Sequence, residues 1–187
     1  IDASFASPIS LSFCGNHRQL KPRPPDSSCL STSALQMGLQ VTIRIVGRKA
    51  SEKWIEQGIK MYEQRLAGKI DVNTVWHKNN EQLSKGIETD KSKNVPTVLL
   101  DPLGKVQSSE EFTSDMYRQL EQGGSRLSYV IGGAEGLPNE IRNPSDGPKP
   151  YLMSLSSLTF THQFARLVLI EQIYRASEIQ KGSNYHK

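Results

Sequence analysis

The residues of this 187-residue chain whose types and spacing could do chemistry lie in its last third. Gly132, Gly133 and Gly136 directly follow Tyr129, Val130 and Ile131, a β-branched and aromatic run that reads as a buried strand. Glycines after a strand let the backbone turn and come close to a ligand, although the same pattern also suits a plain turn. A dinucleotide G-x-G-x-x-G would need glycines where Ala134 and Leu137 stand, and a phosphate loop would need Gly-Lys-Ser/Thr, so neither scheme applies. A second stretch, residues 154–166, places Ser156, Ser157, Thr159, His162 and Arg166 close together. The histidines His17, His77, His162 and His186 have no H-x-x-x-H or H-E-x-x-H spacing, so no metal is expected. Both cysteines, Cys14 and Cys29, precede residue 31, which leaves the rest without a disulfide, a thiolate metal site or a cysteine nucleophile.

Elements of regular structure must carry these residues. Val41, Ile43 and Ile45 alternate with polar neighbours and predict a first strand over residues 41–46. Ser51 reads as an N-cap, and Ile55, Ile59, Tyr62 and Leu66 form one face of a helix closed by Gly68. Residues 70–76 alternate as a second strand. The polar span 77–94 reads as a loop with at most a weak helix around Leu83 and Ile87; its lysines suit a solvated face. A third strand is expected over residues 95–101, with a turn at residues 102–105. Ser108 and Glu111 form a capping box ahead of a helix faced by Phe112, Met116 and Leu120 and stopped by Gly123 and Gly124. Residues 138–150 hold too much Pro, Asn, Asp and Gly for much regular structure. A fifth strand over 151–155 precedes a long helix over 161–179 that ends at Gly182.

Strand and helix alternate, so the expected class is α/β, a mostly parallel sheet with helices on both sides. Ligands bind beyond the carboxyl ends of such strands. Loops at residues 100–104, 132–136 and 156–160 would form one pocket if their strands are neighbours. The last helix is apolar nearly all round, as suits a core helix or a subunit interface. No run is long and apolar enough for a membrane span. A net charge of +4 permits an RNA partner without arguing for one. Residues 1–37 are rich in serine, carry Arg18, Lys21 and Arg23, and are broken by Pro22, Pro24 and Pro25. They read as a disordered transit-peptide-like segment ahead of a domain at 38–187.

Two blocks, YVIGGAEGL at 129–137 and SLSSLTFTHQFARLVLIEQIYRA at 154–176, together with the tail Asn184, Tyr185, His186 and Lys187, closely resemble the RlmH family. These are small SPOUT-superfamily methyltransferases, formerly called YbeA, that act on large-subunit ribosomal RNA. The resemblance covers residues 41–187 and, with the N-terminal segment, points to an organelle-targeted, plant-type member in the chloroplast, with the mitochondrion as alternative. It implies a SPOUT-type α/β trefoil knot, a homodimer, S-adenosylmethionine as methyl donor, and methylation of N3 of a pseudouridine in large-subunit rRNA of the assembled ribosome. It implies that Leu100, Asp101, Gly132, Gly133, Leu155, Ser156, Ser157, Leu158, Thr159 and Phe160 hold the cofactor, mostly through backbone groups. The N3 proton must leave, and His162, His186 and Glu135 are candidate bases. Arg166 is a candidate for pairing with RNA phosphate or the anionic base. Two departures stand out: Thr161 where a proline is common, and Ser183-Asn184 in place of a proline-containing approach to Tyr185. The competing readings are a catalytically inactive knotted ribosome-associated RNA-binding factor and a SPOUT methyltransferase acting on transfer RNA.

Overall fold

In the computed structural model, residues 38–49, 52–145 and 148–186 are described, the last without its side chain. The expectations for residues 1–37 and for Ser51 as a cap lie outside them. Five strands form one parallel sheet: β1 (Leu39–Val46), β2 (Ile70–His77), β3 (Thr97–Val106), β4 (Arg126–Ile131) and β5 (Tyr151–Ser154), in the order β2-β1-β4-β3-β5. Helices α1 (Lys53–Leu66), α3 (Ser109–Gln122) and α5 (His162–Gln180) cover one face, while α2 (Asn80–Ser92) and the one-turn α4 (Asn139–Arg142) cover the other. The fold is therefore the expected α/β class with a parallel sheet and helices on both sides.

The period-two pattern of β1 puts Leu39, Val41, Ile43 and Ile45 on the larger core, against α1, α3 and α5. Central β4 is buried on both faces: Leu127, Tyr129 and Ile131 join this core, and Val130 joins Leu83, Leu99 and Leu137 beneath α2. The capping box of α3 forms as expected. The Glu111 N–H donates to Ser108 Oγ at 3.2 Å, and the Ser108 N–H donates to the Glu111 carboxylate at 2.9 Å. Helix α5 packs between α1 and α3, which accounts for apolar residues around most of its circumference: Leu169, Ile170, Ile173 and Ala176 are all buried. Thr161 caps it, with Oγ1 accepting from the Phe164 N–H, so the departure from proline leaves a formed helix start.

Two elements differ from the sequence expectation. The polar span after β2 contains a full helix, α2, not a loop. Asn79 caps it, its Oδ1 accepting from the Gln82 N–H at 3.0 Å. Two buried contacts hold it down: Leu83 in the small core, and Asp90, which receives two 2.6 Å hydrogen bonds from Arg44 on β1. Gly86 lets α2 lie close over Arg44 and His77. A Cβ there would stand 2.9 Å from His77 Cε1 and 3.0 Å from Arg44 Nη1. The second difference is β3, which continues through the predicted turn. It pairs with β5 at residues 98–100 and again at Lys105 and Val106, with Leu100 and Lys105 both opposite Met153. The residues between form a bulge rather than a strand end.

His77 at the end of β2 is buried beside Arg44, and its Nε2 has no hydrogen-bond partner among the described residues. Burial, then the Arg44 charge, hold its imidazole below the ordinary value near 6.5, and Asp90 only partly offsets them. The folded state thus favours neutral His77. The stability this confers is present above the ordinary value and is lost as the pH falls through about 6.5 and below, because the unfolded chain then binds more protons. Melting temperature should therefore fall between about pH 7 and pH 5 more steeply in the native chain than in His77→Gln. Parallel curves would mean that His77 carries no such linkage.

Candidate active site

β3 lies between β4 and β5 in the sheet, so the bulge within β3 meets the loops that follow β4 and β5. They enclose a cavity of about 150 Å³. Leu100, Asp101 and Pro102 come from the β3 bulge; Ile131, Gly132, Gly133, Ala134 and Gly136 come from the glycine loop. Ser154, Leu155, Ser156, Leu158, Thr159 and Phe160 come from the segment after β5, and His162 and Ala165 from the first turn of α5. Every residue proposed from the resemblance to hold the cofactor lines this cavity except Ser157, which is exposed.

The glycine loop closes on itself. A Cβ on Gly132 would stand 2.5 Å from the carbonyl carbon of Gly136 and 2.7 Å from the Leu137 nitrogen, atoms of the backbone that cannot yield. The Gly136 N–H donates to the Gly133 carbonyl at 3.0 Å and completes the turn. Gly132 is thus required by the loop's own closure, before any ligand is considered. Gly133 differs, because a Cβ there would meet the Val46 side chain at 3.3 Å. The hydroxyl of Ser156 is engaged in a local turn, accepting from the Leu158 N–H at 3.0 Å, and its carbonyl accepts from Ser154 Oγ at 2.8 Å.

Asp101 gives the cavity a buried carboxylate. Its Oδ1 accepts from the Leu103 N–H at 2.9 Å, which shapes the bulge, and its Oδ2 lies 3.5 Å from Arg142 Nη1. Arg142 stands on α4, in a segment that carries no periodicity, and nothing in its sequence neighbourhood marks it as a partner of Asp101. Beyond the rim Leu158 is well exposed, and the rings of Phe160, Phe164 and Trp54 form an aromatic step with centroids 5.5 and 6.4 Å apart.

The candidates for catalysis scatter. His162 lines the cavity. Glu135 is exposed on the glycine loop and does not line it. Arg166 is only 3% exposed; its Nη2 lies 2.9 and 3.0 Å from the two carboxylate oxygens of Glu56, and its guanidinium lies 5.1 Å from the Trp76 ring centroid. Arg166 borders a second, larger groove of about 800 Å³ between α1 and edge strand β2, whose other lining residues include Lys49, Glu63 and Thr74. In that groove burial is the main reason Glu63 binds its proton more tightly than an ordinary carboxylate, with neighbouring Glu56 adding to it. The groove shares no residue with the convergent loops, so it is set apart from the site. Of the tail, the Tyr185 ring packs edge-on against Tyr174 with centroids 5.0 Å apart, and the Arg175 guanidinium lies over it. Tyr174 lies twelve positions along α5 from His162, roughly 18 Å at 1.5 Å per residue. The side chain of His186 lies outside the described residues.

A parallel sheet covered on both faces, with one cavity at its strand ends, is the build of an α/β enzyme that takes a small ligand at those ends. Residues 39–186 match the family model for predicted SPOUT methyltransferases, and the chain belongs to that family. It is similar to the ribosomal RNA large subunit methyltransferase H of Protochlamydia amoebophila (strain UWE25), with 46% identity over 149 residues, 80% of this chain and 99% of that protein. It is also similar to the protein of the same name from Halothermothrix orenii, with 35% identity over 165 residues, 80% of this chain and 100% of that protein. Among the described residues no helix is long and apolar enough to cross a membrane, and no group of three or more His, Cys, Asp or Glu side chains could hold a metal.

Proposed function

We propose that this SPOUT methyltransferase uses S-adenosylmethionine to methylate N3 of a pseudouridine in large-subunit ribosomal RNA, acting as a homodimer on the assembled ribosome of an organelle. The observation that carries the reading is the convergence of the β3 bulge and two separate loops on one cavity, in a chain whose relatives bear that ribosomal name. The residues present suit the cofactor. Leu100, Ile131, Leu155, Leu158 and Phe160 form apolar walls for a flat heteroaromatic ring, with backbone polar groups of the loops between them, and the buried Asp101 carboxylate suits a cationic donor. S-adenosylmethionine supplies an electrophilic methyl group when bound.

The chain's own part is to orient the reactants and dispose of one proton. His162 places an imidazole at the cavity and serves as acceptor of the N3 proton. Glu135, exposed at the rim, is the second candidate. Arg166, committed to Glu56 and Trp76, acts by holding the first turns of α5 against α1 rather than by touching RNA. The family resemblance implies the homodimer, in which Tyr185, resting far along α5 from its own His162, would be free to serve the partner's cavity. The family resemblance extends the reading to the trefoil knot. The composition of residues 1–37 supports delivery to the chloroplast, with the mitochondrion as alternative.

Calorimetry with S-adenosylmethionine tests the cofactor, since an inactive RNA-binding factor would show no binding. Modification mapping of organellar rRNA in a knockout tests the target: loss of methylation elsewhere, with the pseudouridine unchanged, would exclude it in favour of another RNA. A fluorescent fusion of residues 1–40 reports the compartment.

A further inference from the structure

We propose that Gly47 is a positioning residue for His162, and that the missing side chain at Gly47 sets where the imidazole rests in the cavity. The inference builds on the reading of His162 as proton acceptor.

Gly47 directly follows β1 and has φ +142°, a backbone conformation that side chains disfavour. A Cβ there would stand 3.3 Å from His162 Nε2, 3.7 Å from Cδ2 and 4.0 Å from Cε1. The Nε2 edge of the ring therefore lies against the glycine. The turn itself is anchored, because the Gly47 N–H donates to the His77 carbonyl at 3.0 Å at the end of β2. The first turn of α5 is anchored to the same place by Gln163, whose Nε2 donates to the Arg48 carbonyl at 3.2 Å, and it is capped locally by Thr161, whose Oγ1 accepts from the Phe164 N–H. Backbone on both sides of the contact is thus held, and what remains adjustable is the imidazole. The surface that stops it is Gly47. The preceding residue, Val46, meets the position of a Gly133 Cβ at 3.3 Å, so the end of β1 buttresses two walls of one cavity. A methyl at position 47 would press on the nitrogen edge and move the ring by a few tenths of an ångström or turn it to another rotamer.

Gly47→Ala should lower the single-turnover methylation rate by about 10-fold, because small misplacements of a reacting group are costly, while S-adenosylmethionine affinity stays within about twofold. In a His162→Ala background the same substitution should lower the rate by less than about twofold, since the side chain it displaces is gone. The Cε1–H and Cδ2–H resonances of His162 should also shift in Gly47→Ala. Equal losses in both backgrounds, with unshifted resonances, would overturn the proposal and leave Gly47 a backbone requirement. If Gly47→Ala does not fold, the native chain decides: nuclear Overhauser contacts between the Gly47 α-protons and the His162 ring are required, and their absence overturns the proposal. The magnetic-resonance results do not depend on turnover. A native protein that leaves rRNA unmethylated therefore overturns the functional reading, while the ring contacts still decide the role of Gly47.

Discussion

Gly132→Ala is expected to lower S-adenosylmethionine affinity by at least about 100-fold, whereas Gly133→Ala should cost only a few-fold. The difference comes from what each new methyl would meet. At Gly132 it would strike the Gly136 carbonyl carbon and the Leu137 nitrogen, at 2.5 and 2.7 Å. Those atoms have nowhere to go. Leu137 is buried with Leu83, Leu99 and Val130, and Gly136 is held by its hydrogen bond to the Gly133 carbonyl. Either the turn opens or Leu137 leaves the small core. Both outcomes reshape the wall formed by Gly132, Gly133, Ala134 and Gly136. At Gly133 the obstacle is a methyl of Val46 at 3.3 Å, a side chain that can shift. Calorimetry on both variants, beside thermal melting to confirm folding, makes the comparison. A Gly132→Ala protein that binds the donor normally would remove the glycine loop from the donor site.

His162→Ala should reduce turnover by about 100-fold and leave donor affinity within a few-fold. A positioned acid or base contributes about 100-fold or more to a proton transfer, and His162 is the histidine at this cavity. Walls of leucine, phenylalanine and backbone remain in the variant, so the donor keeps most of its contacts. Single-turnover methylation at saturating donor reads the chemical step apart from binding. Unchanged turnover would reduce His162 to a side chain that shapes the cavity. Glu135→Gln is the natural companion: because Glu135 is exposed outside the cavity, a larger loss there than in His162→Ala would move the proton acceptor to the glycine loop.

What could be read along the chain is what neighbours in sequence decide. Alternation of Val41, Ile43 and Ile45 marks a strand because side chains two apart share a face, whatever lies on the other side. Ser108 and Glu111 cap α3 through bonds that span three residues, and Gly124 and Gly182 take the positive φ angles that end their helices. The site-bearing loops after β4 and β5 could be located for the same reason, since each directly follows a strand, whereas residues 100–102 belong to a bulge within β3. Contacts between residues distant in sequence were not legible. Helix α2 depends on Asp90 meeting Arg44, 46 residues away, and local periodicity carries no trace of that pair. Arg142 reaches Asp101 only because α4 and the β3 bulge lie side by side. Arg166 has the residue type for an RNA contact, yet Glu56, 110 residues earlier, occupies it. The sequence by itself determined the class, the elements other than α2, α4 and the continuation of β3, and the residues that could line a site. The tertiary structure alone decided that Gly132 is needed for the loop's own closure and that His162, not Arg166, faces the cavity, because those facts depend on strand order and close approach.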